Sequence, residues 1–99
     1  MSRTMETQTV DDWDDVSYII SSQYRVVVLG QLAEGPSTPS RLASDSDNAI
    51  SHISRALGEL RRRSLIELLV SEQQKKGRVY GITEDGEKLW DIIDSKGLV

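Results

Sequence analysis

Arginine, lysine, serine and histidine side chains cluster between residues 41 and 78 of this 99-residue sequence. A guanidinium group can donate two hydrogen bonds to the edge of a guanine base, serine and histidine can donate or accept, and lysine attracts phosphate as a point charge. These side chain types suit the recognition of a polyanion through both its bases and its phosphates. The candidate residues are Arg41, Ser51, His52, Arg55, Arg62, Gln74, Lys75, Lys76 and Arg78.

The composition excludes most catalytic and metal-binding sites. The chain has no cysteine and a single histidine, His52. It can therefore form no disulfide, no thiolate or histidine metal site and no thiol nucleophile. The sequence also offers no nucleophile with a neighbouring base, no phosphate-binding glycine loop and no cluster of metal ligands. We predict a protein that is not an enzyme and that uses no cofactor or metal.

The hydropathy pattern predicts a cytoplasmic protein without a membrane partner. No apolar run approaches the ~20 residues that cross a bilayer, and residues 1–10 are polar, unlike a signal peptide. The length predicts one domain near the lower size limit for a self-supporting core, so a partner subunit would add stability. We divide the chain into a flexible N-terminal tail, residues 1–11, and a domain over residues 12–96.

Taken alone, the net charge of −4 and the isoelectric point of about 4.9 argue against a polyanionic partner. The distribution of the charges along the chain changes this conclusion. Residues 1–20 carry −4 and residues 84–99 carry −3, whereas residues 41–64 carry +2 and residues 65–83 carry +1. Because salt solution screens charges over ~8–10 Å, a local basic surface can bind phosphate while both ends of the chain are acidic.

Apolar residues at helical spacing predict two N-terminal helices. The first begins near Asp12, which can cap it. The second runs from Gln23 to about Ala33, with Ser22 as its cap. Their expected core residues are Val16, Ile19 and Ile20 in the first helix and Val28, Leu29 and Leu32 in the second.

The next segment predicts two helices joined by a short turn. Thr38 can cap a short helix that has Pro39 at its first position and ends near Ser44. The polar turn 45–48 contains aspartate and asparagine, which tolerate a left-handed backbone. A longer helix follows from about Ala49 to Arg63. Its expected buried stripe is Ile50, Ile53, Leu57 and Leu60.

After Ser64 the spacing of apolar residues changes from that of a helix to that of a strand. We predict two strands, over residues 65–70 and 78–82, joined by a polar hairpin tip over residues 71–77. Thr83 can then cap a last helix, whose apolar side is Leu89, Ile92 and Ile93. The predicted fold is α+β and mainly helical. It is a winged helix-turn-helix, with a three-helix core, a two-stranded β-hairpin wing and extra N- and C-terminal helices.

The face of the longer helix opposite its apolar stripe carries Ser51, His52 and Arg55 in the first turns and Arg62 near the end. Ser51, His52 and Arg55 are therefore candidates for base contacts. The wing residues Gln74, Lys75, Lys76 and Arg78, together with Arg41 on the preceding helix, are candidates for phosphate contacts. Glu59 lies on the same face, and we predict that it pairs with Arg55 or Arg62, three or four residues away.

Several of these residues have a purely structural alternative. The run 61–63 can be a solvated helix end that complements the negative helix terminus. His52 can be an ordinary surface residue, and the lysines of the wing can serve solubility. Trp90 can be a core-edge residue or a contact between subunits, where aromatic side chains concentrate. The acidic cluster over residues 11–15 is explained by helix capping and solvation.

The segments Leu42-Ala43, Ser51 to Leu60, Leu65-Ile66 and Gly77 to Gly86 resemble the winged-helix transcriptional regulators common in archaea, which are similar to the ArsR and MarR groups. The resemblance extends from about Val16 to Ile93 and implies a DNA-binding regulator, usually a homodimer, whose second motif helix reads DNA. The sequence departs from the pattern at Asp47-Asn48, where the family usually has glycine and an aliphatic residue. Cysteine ligands of the ArsR type are absent, so metal sensing is not implied.

These observations together predict sequence-specific binding of double-stranded DNA by a homodimeric transcriptional regulator, a repressor. The recognition helix, about 49–63, would enter the major groove and the wing, 71–78, would contact the backbone. No small-molecule effector is evident. The expected dimer interface is Trp13, Tyr18, Trp90 and Ile93. The alternative is a winged-helix protein–protein interaction module without specific DNA binding, which the net negative charge and Glu59 favour.

Overall fold

The computed structural model describes residues 12–69 and 78–99. Within these ranges five helices and one two-stranded antiparallel sheet confirm the predicted fold class. The elements are α1 (12–20), α2 (Gln23–Glu34), α3 (Pro39–Ser46), α4 (Ile50–Arg62), β1 (Ile66–Leu68), β2 (Tyr80–Ile82) and α5 (Glu84–Ser95). The predicted tail, 1–11, and the predicted hairpin tip with Gln74, Lys75 and Lys76 lie outside the described residues.

Hydroxyl caps fix the start of three helices, as the sequence predicts. The hydroxyl oxygens of Ser22 and Thr38 accept hydrogen bonds from backbone N–H groups three residues later. Thr83 accepts one from the N–H of Gly86. Each cap satisfies an N–H group that has no partner within its own helix, and a cap of this kind stabilises the helix by about 1 kcal/mol.

The turn between α3 and α4 depends on a left-handed residue. The helix α3 continues to Ser46, two residues beyond the predicted end, and Asp47 follows with a φ of 58°. The N–H of Asn48 then bonds to the carbonyl of Ala43 at 3.0 Å, which closes the helix end. Asp47 thus takes the conformation for which glycine is the usual residue.

One core cluster joins all five helices and the sheet. The buried stripe of α4 is Ile53, Ala56, Leu57 and Leu60. Two predicted core positions are wrong: Ile20 and Ile50 are exposed, Ile50 by 51%. Ile20 is the last residue of α1, and Ile50 is the first residue of α4, so both lie at helix ends beyond the stretch that packs on the core.

The sheet is shorter than predicted but has an additional partner. Its strands have three residues each, with Glu67 opposite Gly81 at the centre of the register. Ser37, which precedes α3, forms a bridge with Tyr80 through two backbone hydrogen bonds of 3.0 and 2.8 Å. The loop before the helix-turn-helix is thereby tied to the second strand of the wing.

The start of α5 packs closely against the start of the wing. Thr83 donates a hydrogen bond from its hydroxyl to the carbonyl of Ser64 at 2.8 Å, while it caps α5. A Cβ atom on Gly86 would overlap the carbonyl oxygen of Leu65 and lie 2.7 Å from Cγ1 of Ile82. Glycine is therefore required at this position by space rather than by backbone conformation.

We expect Gly86→Ala to lower the free energy of unfolding by about 1–3 kcal/mol, because an inserted methyl group in a packed site forces the backbone apart. Urea unfolding followed by circular dichroism measures this change. Ser95→Ala, an exposed substitution on the last turn of the same helix, is the control and is expected to change stability by less than about 0.5 kcal/mol. Equal stabilities of Gly86→Ala and the original chain would contradict this packing.

Candidate nucleic-acid interface

Burial of the apolar stripe turns one defined face of α4 to solvent. Ser51, Arg55 and Arg62 are exposed and Gly58 is half-buried. These four residues follow one another at intervals of four, three and four positions, so they lie on a single line opposite the core at 3.6 residues per turn. We call them the outward face of α4.

Two guanidinium groups on the outward face are available to an external acceptor. Among residues 12–69 and 78–99 neither Arg55 nor Arg62 has an ion pair. Nη1 of Arg62 lies 3.7 Å from the position of a Cβ atom on Gly58, so the Arg62 side chain extends back along the helix over the glycine. Arg55 and Arg62 therefore present their donors on the same side of α4.

His52 lies beside the outward face and is held by α2. Its ring stacks on the ring of Tyr24, with centroids 4.5 Å apart and an interplanar angle of 8°. The residue is exposed. The stack occupies one face of the imidazole and leaves the ring edge, which carries the hydrogen-bonding nitrogens, for other contacts.

The predicted partner of Glu59 is wrong. Its Oε1 pairs with Nη1 of Arg25 on α2 at 2.7 Å, rather than with Arg55 or Arg62 on its own helix. The side chains of Arg25 and Glu59 are only 12% and 21% exposed. The helix spacing suggested a local pair, but the packing of α4 on α2 brings the arginine to the carboxylate from another element.

The three arginines at the end of α4 have different surroundings. Nη1 of Arg63 pairs with Asp15 of α1 at 2.9 Å, and its guanidinium carbon lies 3.7 Å from the centre of the Tyr18 ring. Arg61 and Arg62 are exposed. Of these three arginines, Arg63 therefore links the end of α4 to α1, whereas Arg61 and Arg62 face solvent.

The structure describes six of the nine predicted contact residues, and all six are exposed. They are Arg41, Ser51, His52, Arg55, Arg62 and Arg78. Arg41 lies in the first turn of α3, and Arg78 comes directly after the segment that the structure does not describe. The recognition roles of these residues stay predictions.

Sequence reasoning missed Arg25, Tyr24 and Gly58. Arg25 is the one cation among residues 21–40, and Glu59 is the one acid within α4. Because each of these two opposite charges is isolated in its own segment, the sequence contained a signal for their pairing. The role of Tyr24 had no such signal, because its stacking on His52 depends on the packing of two helices.

The four predicted dimer contacts differ in accessibility. Trp13 is 44% exposed, whereas Ile93 is 0% exposed and belongs to the chain's own core, so the prediction for Ile93 is wrong. Tyr18 is covered by Arg25 and Arg63, whose guanidinium carbons lie 3.9 and 3.7 Å from its ring centre. Trp90 packs on the bare backbone of Gly30, where a Cβ atom would come within 2.8 Å of the indole ring.

Two structural features are absent from the described ranges. No helix in them is long and apolar enough to cross a membrane. Within the same ranges no three histidine, aspartate or glutamate side chains are grouped so that they could hold a metal ion.

Residues 13–96 match the family model of the HVO_A0261 N-terminal domain. The matched segment includes α2 to α5 completely and nearly all described residues of α1. Among curated proteins none matches the chain.

Solved structures of bacterial regulators are similar in fold. The transcriptional repressor BigR from Xylella fastidiosa is 19% identical, with a TM-score of 0.73 over 95% of each chain. The homodimeric winged helix-turn-helix DNA-binding domain of Mb0332 from Mycobacterium bovis, a possible ArsR-family regulator, is 19% identical with a TM-score of 0.71, over 93% of this chain and 83% of that one. The MarR family regulator NMB1585 from Neisseria meningitidis is 20% identical with a TM-score of 0.69, over 98% of this chain and 68% of that one.

These similarities confirm the winged-helix fold and its likeness to the MarR and ArsR groups. The resemblance to the regulators of archaea in particular stays a prediction. The chain spans about half of the length, 52%, of ZitR from Lactococcus lactis.

We expect Gly58→Ala to raise the free energy of unfolding by about 0.5–1 kcal/mol, because alanine favours the interior of a helix over glycine. The added methyl group would meet only Nη1 of Arg62, at an ordinary contact distance of 3.7 Å. Thermal and urea unfolding measure the change. A destabilised Gly58→Ala variant would show that the outward face of α4 is not open at its centre.

Proposed function

The chain belongs to the HVO_A0261 N-terminal domain family, and we propose that it binds double-stranded DNA as a transcriptional regulator, with the outward face of α4 in the major groove. One observation carries this proposal above all. Arg55 and Arg62 are exposed together on the face of α4 opposite the core, and the acid of that helix, Glu59, is paired elsewhere.

The dimensions of α4 suit a major groove. Its 13 residues extend over about 20 Å at 1.5 Å per residue, and a groove about 12 Å wide admits one helix. Ser51 and Arg55 lie in the first two turns, where recognition helices meet base edges. Arg55 would donate both hydrogen bonds to a guanine, and His52 would offer its ring edge beside it.

Phosphate contacts would come from the two elements that flank α4. Arg41 is exposed on α3, and Arg78 is exposed at the described end of the wing. The sequence adds Gln74, Lys75 and Lys76, which the hairpin prediction assigns to the tip of the wing. Contacts of this kind position a protein on the duplex without reading its sequence.

The regulator would act in the cytoplasm as a homodimeric repressor. Mb0332 is described as a homodimer and BigR as a repressor, and both share the fold of this chain. In a dimer with two-fold symmetry the two α4 helices would enter successive major grooves about 34 Å apart. Trp13 of α1 and the accessible part of Trp90 on α5 are the proposed aromatic contacts between subunits.

A titration of fluorescent genomic fragments at several salt concentrations, followed by anisotropy, tests the proposal. DNA binding through phosphates releases counterions, so the affinity is expected to fall linearly on a log–log plot against salt. Sizing of the free protein tests the dimer. Absence of salt-dependent binding to any fragment would contradict the proposed function.

A second candidate function is binding to another protein, and an open groove favours it. The groove has a volume of about 830 Å³ and lies between α2 and α5. Its lining includes the apolar residues Val26, Val27 and Trp90 and four carboxylates. The carboxylates belong to Glu34, Glu87, Asp91 and Asp94. A protein that fails the DNA titration but binds a partner through this groove would fit the alternative.

We expect Arg55→Ala to weaken binding to the preferred site by about 1–3 kcal/mol and to relax the preference at one base pair, because the bidentate contact to that base is lost. Competition between sites that differ at single base pairs measures both effects. Arg61→Ala is the control, since it removes the same charge from the same helix on another side. Equal effects of the two substitutions would contradict the assignment of the outward face.

We expect the double substitution Lys75→Ala and Lys76→Ala to weaken binding to all DNA sequences about equally. The slope of log affinity against log salt should become shallower by about 0.9 for each phosphate contact that is lost. The control, Lys88→Ala with Lys96→Ala, removes the same charge from the C-terminal segment. A change of sequence preference, or an unchanged slope, would contradict phosphate contacts by the wing.

A further inference from the structure

A negative charge in the recognition helix would oppose the binding of phosphates, and α4 carries one at Glu59. On the helix Glu59 lies four residues after Arg55 and three residues before Arg62. At these spacings a glutamate and an arginine commonly pair. Such a pair would consume the donors that the proposed function requires, so the actual position of the carboxylate matters.

The carboxylate is taken by Arg25, which is fixed in place by its other contacts. Nε of Arg25 donates to the carbonyl of Tyr18 at 2.8 Å, Nη2 donates to Oγ of Ser21 at 2.8 Å, and Nη1 donates to Oε1 of Glu59 at 2.7 Å. The guanidinium carbon also lies 3.9 Å from the centre of the Tyr18 ring. All three nitrogen atoms are therefore engaged before any ligand arrives.

The residue that holds the guanidinium group of Arg25 in place, Tyr18, lies at the end of α1. Tyr18 is in the last turn of that helix, where carbonyl groups have no partner within the helix. Arg63, which follows α4, contacts the same tyrosine ring and pairs with Asp15. The arrangement holds α1, α2 and the end of α4 together around one aromatic ring.

We propose that Arg25 is a positioning residue for DNA binding, which neutralises Glu59 and holds its carboxylate away from the outward face of α4. This inference rests on the proposed function. A paired charge acts on a phosphate as a dipole, whose field falls faster with distance than that of a single charge. An unpaired carboxylate would act over the screening length of about 8–10 Å, which includes the neighbouring turns of the helix.

Substitutions of Arg25 and of Glu59 are expected to change the affinity for DNA in opposite directions. Arg25→Gln leaves Glu59 unpaired and should weaken DNA binding by about two- to fivefold at low salt, as expected for one charge at about 5–10 Å in a watery environment. Glu59→Gln leaves Arg25 unpaired and should strengthen binding by a similar factor. The double variant restores the balance of charge and should bind within about twofold of the original chain.

A purely structural role of the pair predicts a different order. Loss of either partner would then disturb the packing of α2 on α4, and both single variants would bind DNA more weakly. The experiment is an anisotropy titration of all four proteins on one duplex, at two salt concentrations, with unfolding curves to show that each variant is folded. Tighter binding by Glu59→Gln is the result that a structural role would not produce.

Lys96→Gln and Asp94→Asn are matched controls, because they change the net charge by the same amounts at the far end of α5. They should leave DNA affinity unchanged within about twofold. Glu59→Gln that binds more weakly than the original chain would overturn the inference and leave the proposed function intact. An original chain without salt-dependent DNA binding would overturn both.

Discussion

Burial of the α4 stripe is the constraint on which the other features depend. Ile53, Ala56, Leu57 and Leu60 are all removed from solvent, and each large side chain stabilises the fold by about 1.5–3 kcal/mol when it is buried. Rotation of α4 about its axis would expose these side chains. The same constraint therefore fixes which residues face outward, including Arg55 and Arg62.

The distribution of ion pairs reconciles an acidic chain with a basic surface. Arg25 and Arg63 pair with carboxylates and contact Tyr18, so their charges support the packing of helices. Within the described residues the arginines of the outward face have no such partners. The net charge of −4 is a property of the whole chain, whereas a bound phosphate would respond to the charges within about one screening length.

Local interactions could be predicted from the sequence, and contacts between distant segments could not. Ser22, Thr38 and Thr83 cap their helices as expected, because a cap needs only groups three residues away. The partner of Glu59, the burial of Ile93 and the bridge between Ser37 and Tyr80 depend on how elements pack. The direction of the candidate site was predictable from the period of α4, while its electrostatic balance required the position of α2.

The most direct test of the account is a map of backbone amide chemical shifts in the labelled protein as a duplex is added. The largest changes are expected at Ser51, Arg55, Gly58 and Arg62, with smaller changes at Arg41 and Arg78. No comparable changes are expected along the groove between α2 and α5. Changes concentrated at that groove, with α4 unaffected, would contradict the assignment of α4 as the DNA-binding element.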